Sequence, residues 1–152
     1  MKILIPVDGS KYTDMCLKVA LPFCKQVSGV EVYILNIIPH LSDIDFELTP
    51  TDREVMRDSF MKRAEDLLEK SKGYLHSQGL KNITTVILKG TSPANEIVAY
   101  AEKEKINLII MGARGLSEQA RFLLGSETPK VVKYSPCCVY VVKESCMDFC
   151  AT

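Results

Sequence analysis

The sequence has no net charge: nineteen Lys and Arg offset nineteen Asp and Glu, and the pI is near 6.7. That balance excludes the basic footprint of a nucleic-acid binder and the polybasic patch of a membrane anchor. No apolar run approaches the ~18 residues of a membrane-spanning helix. The opening Met1-Lys2-Ile3-Leu4-Ile5-Pro6-Val7-Asp8 is too short in its apolar part for a secretory signal and meets a carboxylate at once. The expectation is a soluble, cytoplasmic chain. Without a secretory context, Cys16, Cys24, Cys137, Cys138, Cys146 and Cys150 read as reduced thiols, not as a disulfide framework. Internal repeats and low-complexity tracts are also missing. What remains, 152 residues of which 47% are hydrophobic, fits one domain able to bury roughly 70% of its unfolded surface.

Short apolar runs alternate with longer amphipathic stretches. Lys2–Val7, Val30–Ile38, Ile83–Leu88, Asn107–Met111 and Cys137–Val142 are rich in β-branched residues and end in Gly, Pro or Asp, which predicts strands. Lys11–Val27 carries an i, i+3, i+4, i+7 stripe in which Cys16 and Cys24 serve as small hydrophobes. Thr51–Gln78 gathers Phe60, Ala64, Leu67, Leu68, Ser71 and Leu75 on one face, with Gly79 as a C-cap. Ser92-Pro93 opens a third helix, with Ile97, Val98 and Ala101 facing inward, and Ser126 or Thr128 opens a fourth that runs to about Tyr134. The alternation β-α-β-α-β-α-β-α-β implies an α/β fold, a single doubly wound five-stranded parallel sheet with helices on both faces. Residues 1–144 form that domain and residues 145–152 a Cys-containing tail. Pro39–Pro50, mixed acidic and apolar, is the one long connection and reads as a mobile flap.

In doubly wound sheets ligands bind beyond the carboxyl ends of the strands, where strand order reverses. The segment after the fourth strand, Gly112-Ala113-Arg114-Gly115, is the informative one. Without Cβ atoms, its glycines let backbone N–H groups approach a phosphate and permit positive φ. Gly125-Ser126 repeats the pattern at a helix N-terminus, where free N–H groups and the helix dipole favour an anion. The Ser126 and Thr128 hydroxyls can hold a phosphate oxygen, or a metal ion bridging phosphates. Asp8, at the end of the first strand, can accept from a ribose hydroxyl, or serve only as a turn residue beside Ser10. These features point to a nucleotide.

Gly112-x2-Gly115-x9-Gly125-Ser126 resembles the phosphate-binding signature of the ATP-binding branch of the universal stress protein family. The segments ILIPVDGS, GTSPANEIVAYAEKEKINLIIMGARGLS and LLGSETPKVVKYSPCCVYVV resemble that family in the same order, over nearly the whole chain. The resemblance implies a sheet ordered 3-2-1-4-5, an adenine-nucleotide α-hydrolase-like fold, and a homodimer paired through Cys137–Val142. It also implies bound ATP (or ADP or AMP) with Mg or Mn. By position, Asp8 would meet the ribose or base and Ile37 would offer backbone hydrogen bonds to adenine. Gly112, Arg114, Gly115, Gly125, Ser126, Glu127 and Thr128 would line the triphosphate. Three positions depart from the family pattern: Asn36 where His is usual, Asn107 where Asp is common, and Cys138 in place of a Pro. The last restores a backbone N–H on an edge strand.

Catalytic equipment is sparse. There is no Walker-type GxxxxGK[ST] loop and no second carboxylate for a metal pair. The chain therefore reads as a nucleotide-dependent regulatory module with an unidentified protein partner, at most a weak ATPase. A hydrolysing or adenylating enzyme would be expected to carry an SGGxDS-like loop, which VDGS does not match. A phosphorylated receiver would need an acidic pair at the first strand, and only Asp8 is there. A nucleotide-free dimeric scaffold is the remaining alternative. Glu127 is electrostatically awkward beside phosphates, so it is expected to lend its backbone N–H with its carboxylate turned to solvent. His40 and His76 read as surface residues. Adjacent Cys137 and Cys138 point to opposite faces of a strand, which disfavours a zinc site with Cys146 and Cys150.

Overall fold

The computed structural model describes residues 1–40, 48–116 and 124–144. Element order is β1 (Lys2–Pro6), α1 (Lys11–Gln26), β2 (Glu31–Ile38), α2 (Pro50–Ser77), β3 (Ile83–Lys89), α3 (Pro93–Glu104), β4 (Leu108–Gly112), α4 (Glu127–Tyr134) and β5 (Cys138–Val142). The strands form one parallel sheet in the order β3-β2-β1-β4-β5. Every expected strand and helix is present, with ends shifted by a residue or two. Cys137 falls outside β5 because its N–H donates to Ser135 Oγ at 3.2 Å. The central part of the Pro39–Pro50 connection and the tail with Cys146 and Cys150 lie outside the described residues.

Period-two alternation along the central strands divides the core in two. Ile3, Ile5, Val32, Ile34, Leu108 and Ile110 pack with Leu17, Val19 and Ala20 of α1 and Leu68 and Leu75 of α2. Leu4, Leu35, Ile109 and Met111 pack on the opposite face with Ala94, Ile97 and Ala101 of α3 and Val131 of α4. Each fully buried Leu or Ile contributes about 1.5–3 kcal/mol of transfer free energy. The thiols of Cys16 and Cys24 belong to the first of these clusters, and burial pushes Cys24 up to about 11, as suits an inert hydrophobe.

Local chemistry sets the helix starts. Ser10 accepts from the Tyr12 N–H at the head of α1. Thr49 and Asp52 form a reciprocal capping box around Pro50 at the head of α2. Ser92 caps α3 with Pro93 in its first turn. Among the described residues no helix is long and apolar enough to cross a membrane.

Candidate functional site

The chain lays β2 and β3 on one side of β1, then crosses to lay β4 and β5 on the other. Strand order therefore reverses between β1 and β4. Their register holds for Ile3↔Leu108 and Leu4↔Ile109 only. Beyond those pairs the two strands part, and a cavity of about 270 Å³ opens past their carboxyl ends. Its walls draw on both cores: Val7, Tyr12 and Cys16 from one layer, Leu35, Ile97 and Met111 from the other. This is an apolar slot rimmed by loops, near the smaller end of known ligand sites at roughly 300 Å³.

All nine residues singled out in the sequence line this one cavity: Asp8, Ile37, Gly112, Arg114, Gly115, Gly125, Ser126, Glu127 and Thr128. Ile37 sits where the β1 edge has run out. Leu35 accepts from the Val7 N–H at 2.8 Å, and β1 ends there. In a parallel sheet both backbone groups of a residue point to the same side, alternating along the strand. Ile37, two residues beyond Leu35, thus directs its N–H and C=O past the end of β1.

Asp8 ties the first loop to the glycine turn. Its Oδ1 accepts from the Ser10 N–H at 2.9 Å, and its Oδ2 accepts from the Leu116 N–H at 3.1 Å. A Cβ on Gly115 would lie 2.9 Å from that Oδ2, so any other residue there pushes the carboxylate out of its present place. Gly112 is required for a different reason: its Cβ would stand 2.5 Å from Tyr12 Cβ, where α1 packs on the end of β4. Neither glycine uses the positive φ that its lack of a Cβ permits. The turn uses them for close approach, and the left-handed glycine nearby is Gly9, at φ +81°, in the loop that carries Asp8.

The second glycine turn is fastened to the first. The Gly125 N–H donates to the Ala113 carbonyl at 2.7 Å. The Thr128 hydroxyl is buried and donates toward the Gly112 carbonyl at 3.0 Å, with Ala113 O at 3.3 Å. Ser126 occupies the N-cap of α4 in αR geometry (φ −63°, ψ −32°) and makes no side-chain cap bond. The N–H groups that open α4 are thus left uncapped by that hydroxyl.

Glu127 corrects the sequence reading. Its carboxylate accepts from the Ala94 N–H at 2.7 Å and pairs with Lys130 at 2.9 Å, joining the heads of α3 and α4. Burial alone would raise this carboxyl, but the Ala94 N–H, Lys130 and Ser126 outweigh it and hold it below its ordinary value. Its negative charge is thereby committed to α3 and Lys130.

The sequence reading leaves two polar residues out of the site: Thr13, and Asn36, which enters it only as a departure from the family pattern. Thr13, buried, accepts from the Gly9 N–H at 3.1 Å and the Asp8 N–H at 3.3 Å, shaping the loop that presents Asp8. Asn36, also buried, donates to the Val7 carbonyl at 2.7 Å and holds β2 beside the end of β1. Each interrupts an otherwise apolar stripe or run, a signal in itself. His40 and His76 are exposed. Among the described residues no three His, Cys, Asp or Glu side chains converge as metal ligands.

The family model described as the universal stress protein family matches residues 1–143. A universal stress protein of Methanocaldococcus jannaschii is 34% identical over 94% of this chain and 82% of its own length. The solved universal stress protein UspA of Lactobacillus plantarum superposes with a TM-score of 0.81 at 26% identity, over 94% of this chain and 97% of that one. Two more distant structures share the fold. A universal stress protein in complex with cAMP (22% identity, TM-score 0.71) covers 94% of this chain and 97% of its own. One from Archaeoglobus fulgidus in complex with dAMP (21%, TM-score 0.67) covers 94% and 98%.

Proposed function

This chain belongs to the universal stress protein family, and we propose that its cavity between β1 and β4 binds an adenine nucleotide, ATP in the first instance, as a regulatory module. The observation that carries this reading is the pairing, in one cavity, of an apolar slot with two glycine turns joined at the head of α4, which the Ser126 side chain does not cap. The binding of cAMP and dAMP by proteins of the same fold supports it as analogy.

The donor set suits such a group. Adenine enters between Ile97 and Met111 and hydrogen-bonds the Ile37 backbone, as a base does to a strand edge left without a partner. The Asp8 carboxylate accepts from a ribose hydroxyl. The Gly125 and Ala113 N–H groups are already bonded within the turns, so the N–H groups of Arg114 and Gly115 and those that open α4 hold the phosphate oxygens, with the Arg114 side chain as the cation beside them. Mg or Mn comes with the phosphates, and the Ser126 hydroxyl is the protein oxygen offered to it. When bound, ATP supplies a phosphoanhydride open to hydrolysis. The residues on the page bind and orient but offer no general base aimed at water, so slow turnover at most is expected. A second copy pairs along β5, which is an edge strand with a free side, and a protein partner reads the occupied state.

The direct test is to purify the protein without added nucleotide, denature it and identify released small molecules by absorbance and mass. ATP or ADP near one per chain supports the reading. An empty site followed by no response to ATP–Mg in titration leaves the nucleotide-free scaffold. Sedimentation at micromolar concentration tests the pairing, and a monomer rejects it.

A further inference from the structure

A second cleft, of about 310 Å³, lies between α1 and α2 behind the loop that carries Asp8. Its apolar wall comes from Leu67 and Tyr74 of α2, both half-buried against the first core cluster, above the buried Leu17. Its rim is cationic, with Lys18 contributed by α1 and Lys70 by α2, against the single carboxylate of Asp14. Both lysines are exposed, and among the described residues neither is in an ion pair. The buried Ser71 hydroxyl donates back to the Leu67 carbonyl at 2.8 Å, so its proton is not offered to the cleft. Thr13 lines this cleft as well as the nucleotide cavity.

An apolar wall beside two cations on facing helices matches a ligand with a hydrocarbon body and one anionic head. We propose that the α1–α2 cleft is a second ligand site, specific for small amphipathic anions of the carboxylate type. The hydrocarbon body lies on Leu67 and Tyr74, which buries apolar surface that α2 leaves open to water. The head is shared between Lys18 and Lys70, and Asp14 rejects a dianion by like-charge repulsion. The glycine turns, with their backbone donors, belong to the other cavity, so the two sites read different chemistry and neither needs the other to be filled.

The test uses 8-anilinonaphthalene-1-sulfonate as a fluorescent probe and octanoate as competitor, on the full chain. Wild-type protein should bind about one probe, displaced by octanoate and unaffected by ATP–Mg. The double variant Lys18→Glu/Lys70→Glu changes two exposed side chains and should fold normally by circular dichroism. Its affinity for probe and octanoate should fall about tenfold or more, from two charge reversals near the rim, while its response to ATP–Mg matches wild type. No probe binding by wild type, undiminished binding by the double variant, or displacement by ATP–Mg in place of octanoate each overturns the proposal. A protein that ignores ATP–Mg yet binds octanoate through the lysines leaves this site standing and removes the nucleotide reading alone.

Discussion

The two ends of the sheet meet solvent differently. At the amino end, hydrogen bonds close the strands together. Lys2 N–H donates to Asn107 Oδ1 at 2.7 Å, and the Asn107 N–H returns to the Lys2 carbonyl at 2.9 Å. Lys2 Nζ reaches the Glu104 carbonyl, and the Glu31 N–H donates to Met1 O. At the carboxyl end β1 and β4 diverge after two register pairs, and Asn36, Thr13 and Thr128 hold the parted loops open around a cavity. Polar side chains do the structural work at both ends. At one they satisfy neighbouring strands; at the other they satisfy the loops and leave backbone groups for a ligand.

The sharpest way to break the contrast is Gly112→Ala. The added Cβ would sit 2.5 Å from Tyr12 Cβ, so α1 and β4 must move apart. A loss of about 1–3 kcal/mol in stability is expected in urea unfolding, with weakened nucleotide binding. Next is Thr128→Val, which removes a buried hydroxyl and strands the Gly112 carbonyl, while the Ala113 carbonyl keeps the Gly125 N–H. About 1–2 kcal/mol should be lost, again with weaker binding because only the Gly125 N–H to Ala113 O bond then fastens the two glycine turns. Asn107→Ala acts at the closed end: a loss of about 0.5–1 kcal/mol with nucleotide affinity intact. Equal loss of affinity from Asn107→Ala and Thr128→Val would erase the distinction between the ends.

The smallest effect is titratable. Glu127 has its folded value depressed, so its contribution is fully present above the ordinary 4.5 and disappears as pH falls through the lower folded value. Glu127→Gln should flatten the stability profile in that acid window. An unchanged acid limb would remove Glu127 as the tie between α3 and α4. Its side chain is 31% exposed, so salt should weaken the effect.

Much of this comparison was legible in the chain. β-branched runs and Ser, Thr and Pro caps placed the elements within a residue or two, because those signals are local. The glycine spacing of 112, 115 and 125 marked the cavity, because strand ends and helix starts are local too. The use of each residue was not legible. Asp8 meets Leu116 across 108 positions, and Glu127 meets Ala94 across 33; no periodicity encodes such contacts. Of the two freedoms glycine offers at 112 and 115, close approach is the one used, and Tyr12 and Asp8 set it from afar. Thr13 and Asn36 were readable in principle, as single polar residues inside apolar patterns.

The central claim is that the carboxyl-end cavity holds a nucleotide through the turn at Gly125. Titration calorimetry of ATP–Mg into wild type and into Gly125→Val, each shown folded by circular dichroism, tests it most directly. One site per chain in wild type and none in the variant is the predicted outcome. Equal affinity in the two folded proteins would contradict the account.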